Sequence, residues 1–259
     1  MVKIAICGVC GKMGSRIFNI ALQDKDVEIV GLTEVKNHVN IGKKLENKYE
    51  ITDNLTKFIN KIDVVIDFTT TESTLENLNI VNNNRKSIVI GTTGFNDNEI
   101  KLIKDYAKNI AIVLSPNMSI GVNILFKLVD EITKIVPDYD IEIIESHHNQ
   151  KKDAPSGTAK KIAEIIANRL NLDLKQSVSY GRTGLIGPRK NNEIGIHSIR
   201  GGDIVGEHTV IFTTTGERLE LIHRAHSRDT FATGAIKAAK WVYNKKPGLY
   251  DMLDVLGLK

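Results

Sequence analysis

Residues 2–22 read VKIAICGVCGKMGSRIFNIAL, running from Val2 through Gly8, Gly11 and Gly14 to Leu22. The apolar run Val2 to Cys7 predicts a core strand. A glycine-rich turn follows, and Ser15 to Leu22 then carries the apolar spacing of a helix. The glycines are spaced G-x-x-G-x-x-G, a close variant of the dinucleotide fingerprint. Glycine permits the tight turn and lets backbone N–H groups approach a pyrophosphate at the helix N-terminus. The turn is therefore a candidate pyrophosphate site. A glycine pattern is weak by itself, and context strengthens it. Val27 to Thr33 predicts a second strand ending at Glu34, about 20 residues beyond Gly14, where a dinucleotide fold keeps an acid for the ribose hydroxyls. A surface glutamate after a strand is the plain alternative. Cys7 and Cys10 form a C-x-x-C astride the first glycine, where burial as small apolar residues fits better than redox work.

The alternation continues outward. Asp63 to Phe68, Ser87 to Ile90 and Ile110 to Leu114 predict strands, while Thr71 to Val81 and Asn96 to Lys108 predict helices. Repeated strand–helix units imply a Rossmann-type parallel sheet with right-handed crossovers, and ligands in such sheets bind outside the carboxyl ends of the strands. Gly91, Thr92 and Thr93, and Ser115, Pro116, Asn117 and Met118, fall at those ends and are placed beside the nicotinamide half of a dinucleotide. Ordinary polar loop chemistry is the alternative for both segments.

The second half has a different grammar. Ser119 to Val136 predicts a helix ended by Pro137. Asp140 to Glu145 alternates as a half-buried strand, and its end delivers His147 and His148. Ser156 to about Leu170 predicts another helix. The segment between, HNQKKDAP, holds Lys151 and Lys152. A metal site fits this stretch poorly: adjacent histidines in extended chain point apart, and no third Cys or His lies nearby. An anion cradle fits better, because the N–H groups of Gly157 and Thr158 open a helix whose dipole favours a carboxylate. Histidine and lysine beside it suit proton transfer near neutral pH. A polar loop with a capped helix accounts for Ser156 but not for the basic cluster. Gly195 to Arg200, Ile204 to Thr214 and Arg218 to His226 predict strands. They are separated by Gly201-Gly202 and by Gly216 and read as hairpins, so a second α+β domain with a mixed or antiparallel sheet is expected. A last helix begins at Ser227-Arg-Asp-Thr. Its small apolar face, through Ala232, Ala235 and Ala238, is expected to pack on the first domain.

The chain has 259 residues, 41% of them hydrophobic, with a net charge of +4 and a pI near 8.9. That length supports one large domain or two smaller ones. The basic residues are scattered rather than gathered in a stripe, which argues against a nucleic-acid surface. No apolar run approaches the roughly 20 residues of a membrane span. The N-terminus reads as a core strand rather than a secretion signal. Two cysteines make no disulfide framework, which suits a reducing cytoplasm.

Five motifs resemble one family. They are Gly8-x-x-Gly11-Lys-Met-Gly14, Gly91-Thr-Thr-Gly-Phe95, Glu145-x-His147-His148-x-x-Lys151-x-Asp153-Ala-Pro-Ser-Gly-Thr158, Arg200-Gly-Gly-x-Ile-Val-Gly-Glu-His208 and Ser227-Arg-x-x-Phe231-Ala-x-Gly-Ala235. Together they are similar to the dihydrodipicolinate reductases, now called 4-hydroxy-tetrahydrodipicolinate reductases, and the likeness covers essentially the whole chain. It implies an NADH- or NADPH-dependent enzyme of lysine and diaminopimelate biosynthesis that reduces a cyclic dicarboxylate. It implies a dinucleotide-binding domain from residues 1–118 and 227–259, and a substrate-binding and oligomerisation domain from 119–226 that builds a homotetramer. By the same resemblance His147 is the acid/base residue and Lys151 the proton donor. His148, Gly157 and Thr158 hold the substrate carboxylates, and Gly8, Val9, Cys10, Gly11, Lys12 and Met13 bind the cofactor. Members commonly carry Arg after the ribose-binding acid, facing a 2′-phosphate. Here Val35 stands there with Lys36 next, Lys12 replaces a common Arg in the glycine loop, and Met118 replaces a common aromatic. NADPH use is then weakened, or Lys36 and Lys12 compensate. Another Rossmann oxidoreductase, or an NAD(H)-sensing protein without turnover, are the readings left beside it. The first leaves the paired histidines and the Pro-Ser-Gly-Thr turn without a role.

Overall fold

The computed structural model describes residues 1–259. In chain order its regular elements are β1 (Val2–Cys7), α1 (Gly14–Gln23), β2 (Val27–Thr33), β3 (Lys44–Leu45), β4 (Tyr49–Thr52), β5 (Val64–Asp67), α2 (Thr71–Asn83), β6 (Ser87–Ile90), α3 (Asp97–Tyr106) and β7 (Ala111–Leu114). Then come α4 (Ile120–Ile135), β8 (Asp140–His147), α5 (Gly157–Arg169), α6 (Leu174–Ser177), β9 (Val178–Tyr180), β10 (Ile194–Arg200), β11 (Gly206–Thr214) and β12 (Glu217–Ala225). The chain closes with α7 (Asp229–Val242), β13 (Gly248–Tyr250) and α8 (Met252–Leu256). It divides into two units, Met1–Ile120 with Arg228–Lys259, and Gly121–Ser227.

The first unit is built on an eight-stranded sheet in the order β13-β7-β6-β5-β1-β2-β4-β3. All pairings are parallel except β3 with β4. Successive strand residues face opposite ways, so a sheet covered on both sides needs unbroken apolar strands. Ile4 and Ile6 of β1 join Val64 and Ile66 of β5 in one core, under α1, α7 and α8. Ala5 and Cys7 join Val65, Ile88 and Ile90 in the other, under α2 and α3. The predicted last helix does return to the first unit: α7 lays Ala232, Ala235, Ala238 and Ala239 into the α1 side. Contact there is close enough that a Cβ on Gly234 would lie 1.7 Å from the Met118 carbonyl oxygen.

The second unit has a five-stranded sheet, β12-β11-β8-β10-β9. Helices α4 and α5 cover one face, meeting Ile141, Ile143, Ile194, Ile196, Val210 and Phe212. The other face carries half-exposed Ile199 and Ile222. Here the sequence expectation needs a correction. Gly216 does join an antiparallel hairpin, β11 with β12. Gly201-Gly202 does not, because β8 lies between β10 and β11, parallel to the first and antiparallel to the second. Glycine marks a reversal of the chain, but which strand it returns beside is decided by the core. The two-residue β3 and the short β9 and β13 were not anticipated, since so few residues cannot display a period.

Helix α1 presses on the glycine turn: a Cβ on Gly14 would lie 2.0 Å from the Gly8 carbonyl oxygen. That approach is too close for a methyl group and involves rigid backbone. Gly14→Ala is expected to destabilise the first unit by about 2 kcal/mol, within the usual cost of overpacking. Urea unfolding followed by the fluorescence of Trp241, the single tryptophan, measures the shift.

Candidate active site

In the first unit the candidate residues gather at the carboxyl ends of the parallel strands. Gly8 takes a left-handed φ of +75°. Its N–H and that of Val9 both donate to Thr33 O, at 2.9 and 3.2 Å, fastening the turn to the end of β2. Glu34 follows directly, and its Oε2 accepts the Cys10 N–H at 2.8 Å. The acid expected to meet ribose hydroxyls is thus held against the glycine loop. Lys12 and Met13 lie just ahead of α1, where N–H groups have no helical acceptor and the dipole favours an anion. The turn suits a pyrophosphate. Lys12, Val35 and Lys36 are exposed, Val35 by 62%. The side chains of Val9 and Met118 are buried in the core, so their offering to a ligand is backbone.

The sequence reading missed Asp67. It lies at the end of β5, fully buried, with no basic partner. Five donors hold it instead: Thr69 through its N–H at 3.1 Å and its hydroxyl at 2.7 Å, the Thr74 hydroxyl at 2.9 Å, the Thr92 hydroxyl at 3.4 Å, and Asn77 Nδ2 at 2.8 Å. The Thr92 hydroxyl accepts from Thr69 N–H at 3.0 Å and lies 2.8 Å from the Thr74 hydroxyl. Asp67 therefore sets the shape of the loops after β5 and β6, including Gly91-Thr92-Thr93. Thr92 is buried in this network, whereas Thr93 is exposed. Ser115 is buried and donates to Asn117 O at 2.9 Å, bracing the turn after β7 beside exposed Pro116.

In the second unit the site grows out of the sheet's core face. Strands β11, β8 and β10 run side by side, and their inward residues form cross-strand rows. Two rows are apolar: Phe212–Ile141–Ile194 and Val210–Ile143–Ile196. The next row is His208–Glu145–Ser198. Beyond it His147 stands beside Arg200, with Gly206 on its other side. A Cβ at Gly206 would come 3.1 Å from His147 Nε2, so glycine keeps that nitrogen uncrowded.

Glu145 is 0% exposed. Arg200 grips it with two bonds, Nη1 to Oε2 at 2.9 Å and Nη2 to Oε1 at 2.7 Å. His147 Nδ1 lies 2.5 Å from Oε2, and Ser156 N–H donates to Oε1 at 3.2 Å. Burial alone raises a carboxyl's pKa. The hydrogen bonds from His147 and Arg200 outweigh it and hold Glu145 well below the usual carboxylate range. An ionised Glu145 accepts Nδ1–H and leaves Nε2 as the nitrogen able to exchange a proton.

The same arginine donates to Asp153 O at 2.8 Å, tying down the segment that carries Lys151. Lys151 Nζ pairs with Asp153 Oδ1 at 2.8 Å. Ser156 caps α5, its hydroxyl accepting the Ala159 N–H at 3.2 Å, so Gly157 and Thr158 form the first helical turn. His148 precedes this loop, its carbonyl accepting from Lys151 N–H at 3.1 Å. His147, Lys151 and the α5 N-terminus are thus fastened to one buried carboxylate–guanidinium pair. Glu145, Arg200 and His208 were not among the candidates. Reading each strand at every second residue would have found them. The inward series run Ile-Ile-Glu-His in β8, Ile-Ile-Ser-Arg in β10 and Phe-Val-His-Gly from the far end of β11.

His208 is 3% exposed and stacks edge-on to His147 at 5.3 Å. Burial, then the neighbouring His147, pushes it down to about 3. It is therefore neutral at ordinary pH. Unfolding frees it to bind a proton, so stability falls as pH drops from about 6.5 towards about 3. On the opposite sheet face, burial of Glu142 is outweighed by hydrogen bonds from Arg182, His197 and Arg189, which lower it from 4.5 to about 2. Its contribution is complete above pH 4.5 and is lost as pH falls towards about 2. His208→Gln is expected to flatten the upper part of this acid dependence, between about pH 6.5 and about 4.5. Hydrogen exchange of the β8 and β11 amides across that range measures it.

Comparison with known proteins completes the assignment. The profile described as "Dihydrodipicolinate reductase, N-terminus" matches residues 2–118, and "Dihydrodipicolinate reductase, C-terminus" matches residues 121–256. The 4-hydroxy-tetrahydrodipicolinate reductase of Geotalea uraniireducens (strain Rf4) is 47% identical, with 100% of both chains covered. That of Aquifex aeolicus (strain VF5) is 48% identical, with 99% of both covered. Among solved structures, a dipicolinate-bound dihydrodipicolinate reductase from Paenisporosarcina sp. TG-14 superposes with a TM-score of 0.81 at 28% identity, covering 98% of each chain. Matched over nearly its whole length by the two family profiles together, the chain belongs to the dihydrodipicolinate reductases, a family of nicotinamide-dependent oxidoreductases.

Proposed function

We propose that the chain reduces 4-hydroxy-tetrahydrodipicolinate to tetrahydrodipicolinate with NADH or NADPH, in lysine and diaminopimelate biosynthesis, and that His147 is its acid/base residue. The observation that carries this reading is His147 Nδ1 held 2.5 Å from buried Glu145, with Nε2 beside Gly206. The Paenisporosarcina protein holds dipicolinate, a ring with two carboxylates like the proposed substrate. The carboxylates of the proposed substrate are met by His148 and the N–H groups of Gly157 and Thr158. Lys151 supplies a proton and balances charge on the ring nitrogen. Hydride comes from the reduced nicotinamide as the hydroxyl leaves as water. The enzyme's share is orientation and electrostatic stabilisation.

The first unit is the dinucleotide-binding domain. Residues 8–13, Glu34, 91–93 and 115–118 are its contacts, largely through backbone. The second unit binds substrate and, through the sheet face bearing Ile199 and Ile222, assembles a homotetramer. No helix is long and apolar enough to cross a membrane. A biosynthetic role of this kind fits the cytoplasm, with neither nucleic acid nor membrane as a partner.

Absorbance of the reduced nicotinamide tests the reaction, with substrate made in place from pyruvate and aspartate semialdehyde by the preceding synthase. His147→Gln is expected to lower turnover by about 10²- to 10⁴-fold, the span of general acid–base catalysis, while nucleotide affinity is kept. Lys151→Met should act in the same direction. Unchanged absorbance with either nucleotide, despite tight binding, would leave nucleotide sensing as the function. Val35→Arg restores a fork-shaped donor beside Glu34 and is expected to move preference towards NADPH by about tenfold. The ratio of kcat/KM for the two nucleotides reads it.

A further inference from the structure

We propose that Glu145 and Arg200 are positioning residues that set the tautomer of His147, keeping Nδ1 protonated so that the exchanged proton always travels on Nε2. This rests on the reading of His147 as the acid/base residue.

Neutral imidazole carries its hydrogen on either nitrogen, and the partner of one decides the state of the other. Here the partner of Nδ1 is a carboxylate that can only accept. Glu145 is sealed from water at the end of the core, and the hydrogen bonds from His147 and Arg200 hold it ionised. No other side chain bonds His147, and His208 against its face stays neutral. Nε2 therefore points past Gly206 with its lone pair or its exchangeable proton, according to the step of the reaction. Because Arg200 also holds Asp153 O, and Glu145 also holds Ser156 N–H, the same pair fixes where the ring stands relative to the Lys151 loop and the first turn of α5.

The geometry says what a neutral isostere does. Each oxygen of Glu145 receives two N–H groups: Arg200 Nη2 and Ser156 N at Oε1, Arg200 Nη1 and His147 Nδ1 at Oε2. In Glu145→Gln one position becomes an NH2 group. At Oε1 it would oppose a backbone N–H that cannot move. At Oε2 it opposes His147, which can shed its Nδ1 hydrogen and accept instead. The amide therefore settles with NH2 towards His147 and reverses the ring to the Nε2–H form.

The test is nitrogen NMR of ¹⁵N-histidine-labelled full-length protein, with His147→Gln identifying the signals, alongside steady-state kinetics. The wild type is expected to show neutral His147 protonated at Nδ1, and Glu145→Gln to show it protonated at Nε2. Turnover in Glu145→Gln should fall by about 10²-fold or more, as when a triad carboxylate is neutralised, with substrate KM and nucleotide Kd changed by less than about threefold. Arg200→Lys keeps the charge and one bond; it should retain the Nδ1–H form and lose less than about tenfold. Neutral His147 carrying its hydrogen on Nε2 in the wild type overturns the proposal without any variant at position 145, so a poorly folding Glu145→Gln does not rescue it. Nδ1–H retained in a folded Glu145→Gln overturns it as well. If His147→Gln itself keeps full turnover, the acid/base reading fails, and the ring spectra still decide whether the pair sets the tautomer.

Discussion

A carboxylate with no exposure to water must be compensated where it stands, and in this protein Glu145 is compensated by Arg200. Such a pair adds little net stability against an apolar replacement, because Glu145 loses its hydration and Arg200 most of its own. Breaking it is another matter: removing one partner leaves an uncompensated buried charge, typically a cost of about 3–5 kcal/mol. The pair therefore acts as a constraint. Once it forms, His147, the Asp153 segment and the N-terminus of α5 each have one place to bond. The proposed chemistry rests on this, since a proton-transfer group is useful only when its distance and tautomer are settled before substrate arrives.

The first unit handles the same problem differently. Asp67 is also fully buried at a strand end, yet it has hydroxyl, amide and backbone donors and no cation. A carboxylate held by short local donors shapes the loops that supply them, here the turns after β5 and β6. Arg200 instead reaches across strands and joins segments far apart in sequence. One buried acid organises the loops after β5 and β6; the other organises His147, Arg200 and the start of α5.

The sheets explain why these positions exist. The strands are apolar where helices cover them and turn polar where the cover stops, at the carboxyl ends of the parallel strands, β8 and β10 included, and at the amino end of the antiparallel β11. In β8 the change falls between Ile143 and Glu145, within one period of the pleat. An apolar core face thus becomes a polar, hydrogen-bonded one without any change of direction in the chain. His208, on the neighbouring strand, belongs to the same row and is kept neutral by burial, so it adds no charge to compete with Arg200 for Glu145.

The sequence alone determined the parallel β–α alternation of the first unit, the glycine turn and the acid at Glu34, because these depend on local periods and on backbone freedom near one another in the chain. It also determined the Ser156 cap, which lies in one unbroken motif with His147 and Lys151. Only the tertiary structure decided that β8 separates β10 from β11, so that Gly201-Gly202 joins strands that are not neighbours. Only it brought Arg200 and His208 to Glu145, across separations of 55 and 63 residues in sequence. The physical reason is that strand neighbours are chosen by which faces bury together, a choice made by the whole core, whereas period and turn chemistry are written residue by residue.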